Sequence, residues 1–425
     1  MNSLGDARTP RRAVMAATIG NGLEFYDFIT FAFFAIQIGK TFFPSTDPFT
    51  SLMGSLATFG AGFLSRPLGA WIIGGWADRH GRKPAMLFSM TLMGCAIAVM
   101  ALTPGYESIG MAAPIIVVLA RLAQGFALGG EVGSATSYMM EAVPDHRRGA
   151  SIAWQGGSQQ IAGTIGALVG MVLSFMLTDQ LLTDYGWRIA LLLGTTIVPF
   201  AILIRKTLPE TVHAPEPVDE GIHLPGRYRR IVVLGMIMIG GGTIATYIFQ
   251  YMATYGQNTL GLSPEVSLAA EFANNGVGLF AILLGGWLSD RIGRKPVMVW
   301  PNAAFILLIV PCYLWLTTQR DAVSFIGANV ILSAVSSVPY GAVYAAISEG
   351  IPKAFRARSF ALIYSLPVTI LGGTTQLTIT WILKVTGAPM SVAWYLAAVS
   401  TVSLVAMILM RESAPAKLAG VAGRM

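Results

Sequence analysis

The sequence predicts an all-α membrane protein of twelve transmembrane helices arranged as two six-helix halves. Three observations predict it: a series of apolar runs long enough to cross a bilayer, one polar turn that occurs twice, and basic residues gathered on one side of the runs. A spanning helix needs about 20 predominantly apolar residues. Such runs recur near 13–43, 50–77, 84–103, 111–141, 149–177 and 187–208, and again near 230–256, 264–289, 296–317, 322–349, 358–385 and 389–410. Between the two sets, 209–228 carries prolines, acids, His213 and His223, and is too polar to span or to form a core. The expected boundaries are therefore an N-terminal bundle, 1–208, a cytoplasmic linker, 209–228, and a C-terminal bundle, 229–425.

The repeated turn reads Gly-Gly-Trp-Ala-Asp-Arg-His-Gly-Arg-Lys-Pro from Gly74 to Pro84, and Gly-Gly-Trp-Leu-Ser-Asp-Arg-Ile-Gly-Arg-Lys-Pro from Gly285 to Pro296. Asp78 and Asp290 lie about half a chain apart, the mark of an internal duplication. A second echo follows the fourth run of each set. Glu141-Ala-Val-Pro144-Asp-His-Arg-Arg148 parallels Glu349-Gly-Ile-Pro352-Lys-Ala-Phe-Arg356.

At 54% hydrophobic and 12% charged, the chain holds about half the charge of a soluble domain. A net charge of +7 would suit a nucleic-acid partner, but the placement of the basic residues excludes it. All but Lys40, Arg66, Arg121, Arg188, Arg320 and Lys384 of the 28 Lys and Arg residues fall in the termini, in and around the linker, or in and around the even-numbered loops. Basic loops stay inside, so both termini are expected in the cytoplasm. Arg8, Arg11 and Arg12 precede the first run without a small-residue cleavage site, which predicts an uncleaved first helix. Cys95 and Cys312 fall within apolar spans and read as packing residues. Gly125 with Gly129, and Gly166 with Gly170, have the spacing that lets helices approach closely. Pro339 and Pro367 should kink their helices. His80, His146, His213 and His223 have no metal-ligand spacing, and no phosphate-binding loop or catalytic constellation is present. No enzyme, metal or cofactor is expected.

A charge inside the hydrocarbon costs several kcal/mol, so each one found there is a functional candidate. Glu24 and Asp27 share one face of helix 1 by their i, i+3 spacing. Arg66 on helix 2 and Arg121 on helix 4 also fall near mid-depth, and Gln124 follows Arg121 by one turn on the same face. Glu131 lies deeper toward the cytoplasm and about 80° off that face. Structural ion bridges alone would explain such a set. A carboxylate that holds an arginine in the empty state and releases it when protonated is the simplest proton-coupling device these residues permit. In the C-terminal half no comparable charge is read. Tyr247, Gln250, Tyr251, Asn274, Asn275, Tyr340, Tyr344 and Gln376 offer hydrogen bonds at corresponding depths, either to a solute or across helices for packing.

The doubled turn resembles the loop between helices 2 and 3 of the major facilitator superfamily and its echo between helices 8 and 9. That resemblance implies gating roles for Asp78, Arg79 and Arg82 and for Asp290, Arg291 and Arg294, which would latch neighbouring helix ends. Gly20-Asn-Gly-Leu-Glu-Phe-Tyr-Asp-Phe28, Arg66-Pro67-Leu-Gly69, Arg121-Leu-Ala-Gln124-Gly125, Gly186-Trp-Arg188-Ile and Leu208-Pro-Glu-Thr211 resemble the metabolite:proton symporter family. Trp154-Gln-Gly-Gly-Ser-Gln-Gln160, and Tyr364-Ser-Leu with Gly372-Gly373, are similar to runs of its citrate and tricarballylate carriers. Helix 5 lacks the proline-containing glycine motif of drug:proton antiporters, and no heptad tail follows Arg411.

These resemblances imply a proton-driven importer of a small organic anion, a di- or tricarboxylate such as citrate. It would be a monomer in the lipid of a bacterial inner membrane, with no nucleic-acid partner. The expected substrate-binding residues are Arg66, Arg121, Gln124, Tyr26, Trp154, Gln155, Gln159, Asn275 and Tyr344. Asp27 is the expected proton carrier, with Glu24 and Glu131 behind it. A zwitterion or osmolyte symporter is the alternative, using one arginine for a carboxylate and Tyr26, Trp154 or Tyr344 for an ammonium. A membrane receptor or membrane enzyme would call for an appended domain or a catalytic constellation.

Overall fold

The computed structural model describes residues 22, 25–80, 82–129, 143–206, 226–351, 356–415 and 417. Grouped across short breaks, the described helices form twelve rods. The first, α1, covers 25–33 and continues as Ala35–Phe42. Next come α2 (Pro48–Leu64, then Arg66–His80), α3 (Arg82–Leu102), α4 (Ala112–Leu128), α5 (Arg148–Met176) and α6 (Trp187–Lys206). They are followed by α7 (Gly226–Asn258), α8 (Pro264–Ile292), α9 (Arg294–Gln319) and α10 (Ala322–Ser336, then Val338–Glu349). The chain closes with α11 (Arg356–Pro367, Val368–Gly372, Gly373–Thr386) and α12 (Ser391–Leu409). Eight stretches of the described residues are long and apolar enough to cross a membrane by length and composition. The linker region 207–225 lies outside the described residues.

Local chemistry sets the ends. Asp47 caps α2 by accepting from the Phe49 N–H at 3.2 Å, with Pro48 at the first helical position, where its missing N–H costs nothing. Ser263 and Pro264 open α8 in the same way, and Asp321 with Ser324 forms a capping box at α10. Gly293, at φ +106°, takes the tight turn between α8 and α9. A side chain there would be strained and would press on Glu412.

The proline breaks follow expectation. α10 is interrupted at Ser337, two residues before Pro339, and α11 widens into a π-helical turn at Val368–Gly372 directly after Pro367. A third break, in α2 at Ser65, has the same cause, since Pro67 cannot donate into the helix ladder. Ser65 turns the break to use by donating its hydroxyl to the Leu122 carbonyl of α4 at 2.7 Å.

Packing is backbone to backbone at two seams. A Cβ on Gly125 of α4 would collide with the Gly62 carbonyl of α2, and one on Gly285 of α8 with the Val338 carbonyl of α10. α5 runs against α8 from Gly149, beside Ser289, through Gly163, beside Asn275, to Gly170, beside Leu268. α2 meets α11 where Gly60 and Gly373 touch. Large apolar side chains face outward, including Trp71, Phe280, Trp300 and Leu307, as lipid contact requires. Cys312 is buried as expected, but Cys95 is exposed on α3, because its position falls on the outward face of that helix.

Candidate functional site

Arg121 of α4 is wholly buried, and its Nη1 lies 3.2 Å from Asp27 Oδ2 of α1. The same nitrogen donates to Gln124 Oε1 at 2.5 Å, one helical turn along α4. The guanidinium lies 4.1 Å from the Phe28 ring centre, 4.3 Å from Phe31 and 5.4 Å from Phe59. Arg66 follows directly on the α2 break and shares the same ring, 4.7 Å from Phe28 and 4.1 Å from Phe63. Both cations are thus held by aromatic faces, at about 0.5–2 kcal/mol per contact, and Arg121 by the Asp27 charge as well.

The pairing is incomplete in a way that suits a ligand. Asp27 Oδ1, Arg121 Nε and Nη2, and Gln124 Nε2 are buried without a hydrogen-bond partner among the described residues. Unsatisfied donors of an arginine fork are a costly feature in a static core and a natural one in a carboxylate-binding site.

Beside this cluster lies a cavity of about 100 Å³ between helices of both sequence halves. Gln159, Gln250, Asn274 and Asn275 line it, together with Tyr247, Tyr340, Tyr344 and Tyr364. Arg66 is linked to it by the Tyr247 side chain, to which it is hydrogen-bonded, and by the electrostatic neighbour Tyr364. Gln159 Nε2 donates to the Tyr364 hydroxyl at 3.4 Å.

Of the expected site residues, Gln159, Asn275 and Tyr344 line the cavity, while Arg66, Arg121, Gln124 and Asp27 form the charged cluster beside it. Gln155 is buried but is not among the lining residues. Two placements correct the sequence reading. Tyr26 points to α6, donating its hydroxyl to the Ala190 carbonyl at 3.0 Å. Trp154 is 37% exposed on the outer face of α5, since it is one residue from Gln155 and so about 100° round the helix. Glu24 and Glu131 lie outside the described residues, as do the side chains of Asp78, Arg79 and Arg82.

The second copy of the doubled turn is fully described. Asp290 accepts from the N–H groups of Gly149 and Ala150, both at 2.9 Å, at the exposed amide end of the long helix α5. Arg294 binds Asp290 at 2.6 Å and grips Glu349 of α10 at 2.8 and 3.2 Å. Arg291 instead stacks on Trp287 at 3.9 Å. Glu412, beyond α12, accepts from the N–H groups of Arg294, Lys295, Ser413 and Ala414 at 2.9–3.0 Å. Burial alone would raise the Glu412 carboxyl, but these backbone donors prevail and hold it below its ordinary value. α5 and α8 are thereby tied at this end.

Sequence reasoning missed the phenylalanine box, because an apolar residue in an apolar helix gives no sign that it faces a cation. It missed Glu412 for want of any local signal. It also missed Glu271, an acidic side chain 1% exposed within α8, which the reading of the second half as offering only hydrogen-bonding groups at depth had left out. Sitting seven residues into its helix, Glu271 reads in sequence as part of a polar helix start.

The Major Facilitator Superfamily profile matches residues 17–366, more than half of the chain. The chain is 35% identical over 410 residues to a citrate-proton symporter of Salmonella typhi, covering 94% of each protein. It is 28% identical over 430 residues to a proline/betaine transporter of Escherichia coli (strain K12), covering 96% of this chain and 85% of that one. Its fold is similar to the crystal structure of a D-xylose-proton symporter, with a TM-score of 0.77 over 95% of this chain and 98% of that chain, at 16% identity. The sequence match reaches from the first helix into the eleventh, and the fold agrees with it throughout: the chain belongs to the major facilitator superfamily.

Proposed function

We propose that this chain imports a small organic anion, a di- or tricarboxylate such as citrate, together with protons, by alternating access. The observation that carries the reading is the pair of buried guanidiniums, Arg66 and Arg121, stacked on the one Phe28 ring beside a polar cavity. Two adjacent arginine forks match two carboxylates, whereas a neutral sugar or a cation would make no use of their charge. The likeness to a citrate-proton symporter supports the same reading.

In this reading the substrate carboxylates take the free Arg121 donors and the Arg66 fork, with Gln124, Gln159, Asn275 and Tyr344 completing its outline. Asp27 holds Arg121 while the site is empty. As an anion draws the guanidinium away, Asp27 is left in an apolar box and takes a proton, so anion and proton bind together. Glu24 and Glu131 are secondary carriers. The two bundles, 1–208 and 229–425, rock about the site, joined by the linker 209–228. Asp290 and Arg294 close the cytoplasmic side of α5 and α8, and Asp78, Arg79 and Arg82 form the matching latch. The protein sits in a bacterial inner membrane with both termini in the cytoplasm.

The zwitterion reading has one observation in its favour, the four tyrosines of the cavity, which offer faces to an ammonium. Purified protein in liposomes decides between them. Labelled citrate should accumulate under an inward proton gradient, undiminished by excess proline or betaine. Competition by proline, without citrate uptake, would replace the anion reading with the zwitterion one.

A further inference from the structure

We propose that Glu271 of α8 is a second proton-carrying site, separate from Asp27 and housed in the C-terminal helices. The inference rests on the symport reading and adds a proton to it.

Glu271 is 1% exposed, and neither of its carboxyl oxygens has a hydrogen-bond partner among the described residues. It forms no ion pair among them. The Ala253 backbone of α7 and the Asn274 side chain are its polar neighbours. Tyr251 and Tyr255 flank Ala253 on α7, and Tyr313 of α9 packs on Tyr255 beside Cys312. A cation at this end, Arg320 at the close of α9, acts on Tyr255 and forms no ion pair with Glu271 among the described residues. The basic residues of α5 and α9, Arg148, Arg294 and Lys295, belong to the opposite end. There Arg294 already serves Asp290 and Glu349.

An ionised carboxylate without a cation partner is not sustainable at such a place. The resting group is therefore the neutral acid, and the question is whether its proton can leave. Position answers it. Glu271 lies one turn from Asn275 and less than one from Asn274, on the face of α8 that lines the cavity. The Asn275 side chain donates to the Glu271 backbone carbonyl at 2.8 Å. Around it the Thr254 and Ser267 hydroxyls and the Gln250 and Asn274 amide oxygens are likewise buried without partners. This polar strip leads from the cavity toward the start of α8, the side where a proton would enter. Water admitted along it when the helices separate would allow the acid to ionise, and closure returns it to the neutral form with one proton bound. No bond other than O–H forms or breaks.

The test is the substrate ratio at which net flux reverses in proteoliposomes under a fixed proton gradient. This ratio is an equilibrium quantity, so a slow variant reports it as well as a fast one. Losing one coupled proton lowers it about tenfold per unit of imposed pH difference. E271Q, the shape of the protonated acid, is expected to show that loss, and E271D to retain the wild-type ratio. An unchanged ratio in E271Q overturns the proposal, and so does a ratio that follows a sodium gradient in wild type and not in E271Q. A wild-type protein indifferent to the pH gradient would instead refute proton symport itself. Should E271Q not fold, the infrared carboxylic C=O band decides: a band that responds to pH and shifts between wild type and E271D supports the site, and a band that does neither overturns it.

Discussion

Asp27 and Arg121 stand 3.2 Å apart in a wholly buried pair, and the residue after Asp27, Phe28, stacks both Arg121 and Arg66. One turn of α1 therefore holds the counter-charge of one arginine and the shared platform of two. Any event that moves Arg121 is felt by the acid and by the second cation at once.

Replacing either arginine by alanine should abolish uptake, and lysine should restore only part of it, because an ammonium cannot reproduce a two-pronged grip. Arg121→Ala strands Asp27 and is expected to cost about 3–5 kcal/mol of stability, so thermal unfolding must be recorded with transport. Normal accumulation by a well-folded alanine variant at both positions would make the arginines structural.

Asp27→Asn imitates the protonated acid. It should still exchange labelled for unlabelled substrate across liposomes, yet lose the concentrative uptake that the Asp27 proton drives, so that the ratio reached falls about tenfold per unit of imposed pH difference and only the share coupled through Glu271 remains. Wild-type accumulation in this variant would move the proton site to Glu24 or Glu131.

Asp290→Asn removes the charge that binds two amides of α5 and the Arg294 guanidinium. Uptake should fall, and Asp78→Asn should be the more severe of the two, since residue 78 belongs to the same helical stretch, Arg66–His80, that carries Arg66. Transport at matched membrane abundance measures both, and equal losses would count against the asymmetry.

The Glu412 clamp should be pH-dependent. Its carboxyl is held below the ordinary value in the folded protein, so its contribution is complete above the ordinary carboxyl range and disappears as pH falls through the lowered one. The protection of the Arg294 and Lys295 amides against hydrogen exchange, relative to the intrinsic rate at each pH, should be high at neutral pH, low at low pH, and low throughout in Glu412→Ala. Slow exchange of those amides in the variant would show that the tail is not what protects them.

The helices and the doubled turn were legible because lipid allows so few alternatives: about 20 apolar residues and a basic turn have one reading. The Asp27–Arg121 pair was legible because charges among apolar residues must find each other, and Gln124 followed from helical spacing. Angular position was harder. Trp154 and Gln155 are neighbours in sequence, yet the first is 37% exposed and the second buried, and neither lines the cavity, a difference that only packing decides. Glu271 and Glu412 were missed for opposite reasons, one lying near a helix start and the other in a tail whose four amide partners come together only in the folded chain.

The glycine seams between α2 and α4 and between α8 and α10 also determine how this chain can be re-engineered. Every replacement of glycine by another residue adds at least a methyl group, and at Gly125 or Gly285 that group meets a carbonyl of the facing helix. These positions should stay blank in a mutational library, whereas outward residues such as Leu307, 76% exposed, should drift among apolar types. A search for altered substrate choice is best confined to Gln159, Tyr344 and Tyr364, where diversity can be tolerated without prising the scaffold apart.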